Sequence, residues 1–168
     1  MATHRLIGAS CFAMLLLVSG CGGTAGVVSP RSGAPYCNVY TDVACFGIGH
    51  GGAVTMSIPA DFVLYDVTLA DSVRARIYIG YNPQLSRFDA AVPCAAAGDA
   101  EVCRFTRHPE SLDLLYNSDG SYMDVHIQGG TEEMKGAVVQ SFLTSFRPCR
   151  EAGEGLNCSA ERIFAALP

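Results

Sequence analysis

The stretch that decides the fold is LDLLYNSDGSYMDVHIQ, residues 112–128, in which two alternating runs flank a turn. The turn Asn117-Ser118-Asp119-Gly120 joins the two runs, and Asp-Gly between alternating runs is a good signal for a β-hairpin. We therefore expect strands over 112–116 and 122–128. In the second strand every other residue is apolar and points to the core, which leaves the alternate set facing outward: Tyr122, Asp124, His126 and Gln128.

Four earlier runs have the alternation and the β-branched content of strands, over 53–58, 62–69, 73–81 and 102–107. One face of each strand is expected to be buried and the other to meet water, as in an antiparallel sheet with a single covered face. Charged and aromatic side chains gather at the outward positions of the central strands. They form a candidate binding face of seven residues: Asp66, Arg74, Arg76, Tyr78, Tyr122, Asp124 and His126.

The C-terminal part of the chain predicts helices. Thr131 is placed as an N-cap, Glu132 and Glu133 suit the positive end of a helix dipole, and apolar residues recur at helical spacing up to Pro148. A short final helix is expected over 159–167. The sequence thus predicts an α+β fold, a largely antiparallel sheet of five or six strands with one main C-terminal helix packed on it and a short final helix. This order of hairpins and a covering helix resembles Mog1/PsbP-like envelope domains.

The N-terminus has the pattern of an export signal. Arg5 precedes an apolar run over 6–18, which is shorter than the roughly 20 residues that a helix needs to cross a bilayer. The run leads into VSGC, residues 18–21, which resembles the lipobox of bacterial lipoproteins, in which small residues precede the cysteine that is lipidated. The resemblance implies cleavage just before Cys21. An ordinary secretory peptide with a chance cysteine is the alternative, and it also exports the chain.

The lipoprotein resemblance implies an address and a membrane partner. Cys21 would carry acyl chains, and two or more chains hold a protein stably on a lipid bilayer. Gly22 follows the cysteine, which by the same resemblance indicates the outer membrane, facing the periplasm. Three parts are expected: a cleaved signal peptide (1–20), a flexible tether (21–35) and a single disulfide-stapled domain (36–168).

Six cysteines remain beside Cys21 and the signal peptide, and an even number in an exported domain indicates disulfides. They are expected to staple irregular segments. No Cys-x-x-Cys or His-x-x-x-His spacing accompanies them, so no metal site is predicted. Pairing between neighbours along the chain is favoured, although other connectivities stay open: Cys37 with Cys45, Cys94 with Cys103, and Cys149 with Cys158.

Charge and motifs argue against several function classes. The formal net charge is −5 and no basic cluster is visible, so nucleic acid is not an expected partner. GIGHGG at 47–52 has the glycine spacing of a dinucleotide-binding loop, but a β-like run follows it, so no cofactor is predicted. The carboxylates are scattered, G-x-S-x-G is missing, and His108 is expected in a solvated loop. No catalytic residue is therefore assigned.

The candidate binding face carries the main functional hypothesis. Its ordinary interpretation is cross-strand charge pairing that keeps a sheet face soluble. Its functional interpretation is a recognition surface, because Tyr and Arg are enriched at binding hot spots. The sequence therefore predicts a non-catalytic binding or accessory lipoprotein for an envelope protein or a cell-wall component. The alternatives are an inhibitor or immunity-type lipoprotein against a secreted toxin or enzyme, and a small envelope hydrolase.

Overall fold

The computed structural model describes residues 26–27, 37–69, 73–83, 94–97, 99–152 and 155–167. The strands are β1 (Gly26–Val27), β2 (Val39–Tyr40), β3 (Ala44–Phe46), β4 (Ala53–Ser57), β5 (Val63–Thr68), β6 (Arg74–Gly80), β7 (Cys94–Ala97), β8 (Ala100–His108), β9 (Ser111–Ser118), β10 (Ser121–Gln128), β11 (Arg147–Ala152) and β12 (Gly155–Cys158). The helices are α1 (Thr131–Met134) and α2 (Ala137–Leu143). Neither helix in these ranges has the length and apolarity that a membrane crossing requires.

The larger sheet has eight strands in the order β1-β4-β5-β6-β10-β9-β8-β7, and all neighbours are antiparallel. Seven of them come from the chain after residue 37, and the two-residue β1, inside the predicted tether, pairs with β4 at one edge. The six strands expected from alternation are present as β4, β5, β6, β8, β9 and β10. The predicted α+β fold is wrong, because the described chain is mostly β and has only two short helices.

A second sheet of four strands, in the order β12-β11-β3-β2, was not predicted. Its strands are short, and the cysteines of two disulfides pack together in one cluster there. Of the three disulfides among the described residues, two join residues directly opposite each other, on β7–β8 and on β11–β12, so they cross-link paired strands and do not staple irregular segments. The favoured sequence-local pairs are present: Cys37–Cys45, Cys94–Cys103 and Cys149–Cys158.

An aromatic cluster joins the two sheets. Phe46 of β3 stacks on Phe146 with ring centroids 5.1 Å apart, and it meets Phe142 of α2 edge-on at 5.8 Å. Phe46 also lies 6.2 Å from the ring of Tyr65 on β5, so the small sheet and α2 cover one face of the large sheet. Burial there, with the negative charge of Asp42 as the second cause, raises the pKa of the Tyr65 phenol from its ordinary value of 10.0.

The predicted main helix is interrupted at Gly136. This residue has φ −70° and ψ 161°, which is extended backbone, and it serves as the N-cap of α2. The N-cap of α1 is Gly130 and not Thr131, because Gly130 has extended backbone at φ −66° and ψ 155° and the helix begins at Thr131. The Gly130 N–H donates to the Glu133 carboxylate at 2.7 Å. After α2 the chain enters β11, which pairs with β3. The helical period of apolar residues runs across the interruption, so periodicity alone could not reveal it.

The final helix expected over 159–167 does not form. Backbone groups of this segment bond to other elements, as when the Ile163 N–H donates to the Phe146 carbonyl at 3.0 Å. The Leu167 N–H likewise donates to the side-chain carbonyl of Gln140 at 2.8 Å. Ile163 is also buried in the core, so tertiary contacts hold this segment in an irregular conformation.

Candidate functional site

The large sheet has an inner face against the aromatic cluster and an outer face turned away from it. On β6, Ala75 and Ile77 are buried whereas Arg74 and Arg76 are exposed. Directly paired residues of neighbouring strands point to the same side, so the registers with β5 and β10 extend the outer face across the sheet. The seven residues of the candidate binding face all lie on it: Asp66, Arg74, Arg76, Tyr78, Tyr122, Asp124 and His126.

Four charged or ionisable side chains form one row across the middle of the outer face, and we call them the charged row: Asp66, Arg76, His126 and Asp113. Each stands directly opposite the next on the adjacent strand, from β5 through β6 and β10 to β9. Arg76 Nε donates to Asp66 Oδ1 at 2.8 Å, and His126 Nδ1 lies 2.7 Å from Asp113 Oδ1. The two hydrogen-bonded pairs are therefore neighbours, because Arg76 and His126 stand directly opposite each other on β6 and β10.

The two pairs of the charged row have different environments. The side chains of Arg76 and Asp66 are 60% and 50% exposed, so their ion pair contributes at most about 1 kcal/mol. The Asp113 side chain is only 6% exposed, and His126 is 32% exposed. An ionised carboxylate can only accept hydrogen bonds, so a hydrogen bond between His126 Nδ1 and Asp113 Oδ1 requires the proton on Nδ1. While the imidazole is neutral, Nε2 is then an acceptor.

One concavity of about 680 Å³ lies over β4, β5, β6 and β10, and we call it the arginine pocket. Arg74, Arg76 and His126 line it together with Asp66. Three uncharged polar side chains on the strands around them also line it: Thr55, Thr68 and Gln128. The pocket thus offers guanidinium donors beside hydroxyl and amide groups that can both donate and accept.

A second concavity of about 410 Å³, which we call the aromatic pocket, adjoins the first and shares Arg76 and His126 with it. The rings of Phe62 and Tyr78 lie 5.0 Å apart in a tilted arrangement and form its apolar wall with Leu64. The remaining polar lining comes from three side chains: Asp61, Asn82 and Asp124. This pocket can therefore take an apolar group with polar contacts at its rim.

Local sequence explains how Tyr78 reaches this wall. Gly80 follows two residues later on the same face, and a Cβ there would come within 2.5 Å of Tyr78 Oη and 2.9 Å of Phe62 Cβ. The missing side chain lets the Tyr78 ring lean along β6 beside Phe62. The Asn82 N–H then donates to Tyr78 Oη at 3.1 Å and holds the ring in that position.

The remaining sequence candidates lie elsewhere. Cys21 is outside the described residues. His50 is exposed in a glycine turn where Gly51 has φ +86°. Strand β4 follows this turn, so the glycines do not lead into a helix N-terminus that could bind a phosphate. His108 is exposed at the end of β8. Within the described ranges, the groups close enough to share a metal ion depend on cysteines that are already disulfide-bonded.

Sequence reasoning missed Asp113 of the charged row and several side chains of the two pockets. Asp113 was treated as one of several scattered carboxylates, although the hairpin turn is enough to place it opposite His126. Phe62 and Leu64 carry no signal of a site in the sequence, because only the pairing of β5 with β6 places Leu64 opposite Tyr78 and the Phe62 ring beside it. No protein-family model, no curated protein and no solved structure matches the chain.

Proposed function

We propose that the protein is a membrane-anchored envelope lipoprotein that binds an envelope component through the outer face, without turnover. One observation carries the proposal: two adjoining concavities share Arg76 and His126, and six of the seven residues of the candidate binding face line them. Tyr122 is the exception and lines neither. A polar surface that serves solubility alone has no need of such concavities.

Size and residue types both support ligand binding. Sites for small ligands typically enclose about 300–1,000 Å³, and the two concavities fall within that range. Between them the two concavities are lined by arginine and tyrosine side chains, which are residue types enriched at binding hot spots. Tyr78 is held by Gly80 and Asn82, so little side-chain entropy is lost when a ligand packs on it.

The proposed address depends on the lipobox resemblance at residues 18–21. Three disulfides support it, because such bonds persist in oxidising compartments and are rare in the cytosol. The residues between Cys21 and β1 would connect the lipid anchor to the edge of the large sheet and hold the outer face above the lipid headgroups. We propose the periplasmic side of the outer membrane as the location.

A small envelope hydrolase is the second candidate, and the Asp113–His126 pair favours it. A buried carboxylate bonded to Nδ1 orients a histidine as general acid and base in many hydrolases. In the described part of the chain, however, no hydroxyl or thiol hydrogen-bonds His126, so water would have to serve as the nucleophile. Binding without turnover requires no nucleophile.

Site-specific photo-crosslinking in the envelope tests the binding proposal. A photoreactive residue replaces Gln128, which lines the arginine pocket, or Leu156, which is exposed on β12. We expect a discrete adduct from position 128 alone, and its loss when Arg76→Ala and Tyr78→Ala are added. Equal adducts at both positions, or an adduct that the double substitution leaves intact, would overturn the proposal.

A matched control and a turnover assay complete the test. Arg150→Ala with Leu156→Ala removes an arginine and an exposed apolar side chain from the β11–β12 hairpin, and adduct formation at position 128 should persist. Product formation from the captured partner, abolished by His126→Gln, would favour the hydrolase instead.

A further inference from the structure

We infer that the outer face is a two-part site for a short peptide-like ligand with a carboxylate at one end and an apolar ring at the other. The inference rests on the binding function proposed above and names the ligand class. In it the arginine pocket holds the carboxylate, the aromatic pocket holds the ring, and the shared Arg76–His126 rim lies under the middle of the ligand.

The charges of the arginine pocket support an anionic end. Among its described lining residues, Arg74 and Arg76 face a single carboxylate, that of Asp66. Asp66 already accepts from Arg76, whereas Arg74 has no ion-pair partner in the described ranges. The pocket therefore keeps a surplus positive charge in a chain of net charge −5, and a guanidinium matches a carboxylate in a bidentate pair.

The aromatic pocket supports an apolar end. Phe62, Leu64 and Tyr78 form a continuous apolar wall, and the 5.0 Å ring pair leaves aromatic surface open to the pocket. Aromatic groups gain free energy from offset or edge contacts beyond the area that they bury. The acidic side chains Asp61 and Asp124 on the same pocket make it unsuitable for the carboxylate.

Register sets the length of the ligand. Arg74 and Tyr78 lie on one face of β6 four residues apart, which is about 13 Å at the rise of a β-strand. An extended peptide of three or four residues covers that span.

The polar groups that flank Arg74 on the neighbouring strands favour a peptide over an acyl chain. Thr68 and Gln128 line the arginine pocket and can each donate and accept a hydrogen bond. Amide groups of a ligand backbone can use both capacities, whereas a hydrocarbon chain would leave them unpaired. Peptides with a free carboxylate occur in the cell wall and at protein C-termini, and both sources share the chemistry inferred here.

The experiment uses the full-length protein and four synthetic peptides, namely acetyl-Phe-Ala-Ala-Ala and acetyl-Ala-Ala-Ala-Ala, each as the free acid and as the amide. Calorimetry compares their affinities for the wild type, Arg74→Gln and Phe62→Ala, with Arg150→Gln as the matched control. We expect the Phe acid to bind best, and amidation to weaken it about tenfold or more, because a charge-assisted pair is lost. Arg74→Gln should remove the acid–amide difference, and Phe62→Ala should remove the Phe–Ala difference.

Ligand-side comparisons keep the test valid even if one variant folds poorly. Equal binding of acid and amide to the wild type, or no binding of any peptide, would overturn the ligand class. If crosslinking from position 128 still depends on Arg76 and Tyr78, the binding proposal survives that failure. If crosslinking is lost as well, both proposals fall. Wall-derived peptides and C-terminal peptides of envelope proteins, tested next in the same assay, distinguish the two sources.

Discussion

The carboxylate of Asp113 is buried on a sheet face, and one neighbouring ring offsets the cost of burying it. A buried acceptor without a partner costs about 1–3 kcal/mol, and more when it is charged. His126 Nδ1 satisfies Asp113 Oδ1 at 2.7 Å. The same bond holds the imidazole at the boundary of the arginine and aromatic pockets, so one residue pair links packing to the geometry of the site.

Removing one partner of this pair should destabilise the protein more than replacing both. We expect His126→Leu to lower the free energy of unfolding by about 2 kcal/mol, because Asp113 loses its hydrogen bond. Asp113→Leu combined with His126→Leu should recover most of that loss, since no buried acceptor is left unpaired. Urea denaturation of the four proteins in the cycle measures both values. A double variant as unstable as the sum of the singles would contradict this account.

At the level of elements, the β9–β10 hairpin shows what sequence could predict. Asp119 and Gly120 have φ of 53° and 80°, as a two-residue turn between twisted strands requires. Such a turn pairs Ser118 with Ser121, and each step away from it pairs the next residues until Asp113 faces His126. This pair was therefore predictable from the turn, and it was missed because the carboxylates were compared only along the chain.

Other parts of the site could not be read in this way. β6 and β10 are neighbours in the sheet but far apart in sequence, so no turn sets the register of Arg76 with His126. Only packing of the inner faces decides that pairing, and both pockets depend on it. The small sheet was missed for a similar reason, because β2 and β3 are too short to show alternation. Gly136 was missed because the helical period continues across it.

The hairpin turn itself gives a prediction. Gly120→Ala should destabilise the protein by about 1 kcal/mol, because an L-residue at φ 80° is strained. Gly155→Ala is the matched control, since Gly155 has open space around it and no positive φ, and its effect should stay within about 0.5 kcal/mol. Thermal and urea unfolding of both variants check this. Equal effects would show that the turn does not constrain the hairpin.

At the scale of the whole molecule, side-chain packing joins the two sheets, and no disulfide among the described residues crosses between them. Each disulfide closes a segment of eight or nine residues within one sheet or at its edge. The contacts between the sheets come from the aromatic cluster around Phe46. The outer face is therefore shaped by the large sheet alone, and the small sheet acts as the cover of its core.

The three disulfides should contribute unequally to stability. Loop closure over such short segments contributes about 2.5 kcal/mol each in the entropic account. Cys94→Ala with Cys103→Ala should lower the free energy of unfolding by about that amount, because Cys94 is exposed and its loss leaves no cavity. Cys37→Ala with Cys45→Ala should cost more, since both residues are buried and the change also leaves a cavity. Denaturation curves of the two double variants test the order, and the reverse order would contradict it.

The membrane attachment proposed for the whole molecule depends on one residue outside the described ranges. Cys21→Ser removes the only sulfur that the lipobox places at the cleavage site, so no diacylglyceryl group can be attached. A protein held by two or more acyl chains stays on the bilayer, whereas a domain without them has no such anchor. We expect the wild type in the membrane fraction with incorporated radiolabelled palmitate, and the variant without label and released from the membrane. Cys11→Ser lies in the expected signal peptide and serves as the control, because it should leave labelling unchanged. A Cys21→Ser variant that stays in the membrane fraction with the label would contradict the lipoprotein proposal. The outer face and its two pockets would then still have to be explained, by binding in another location.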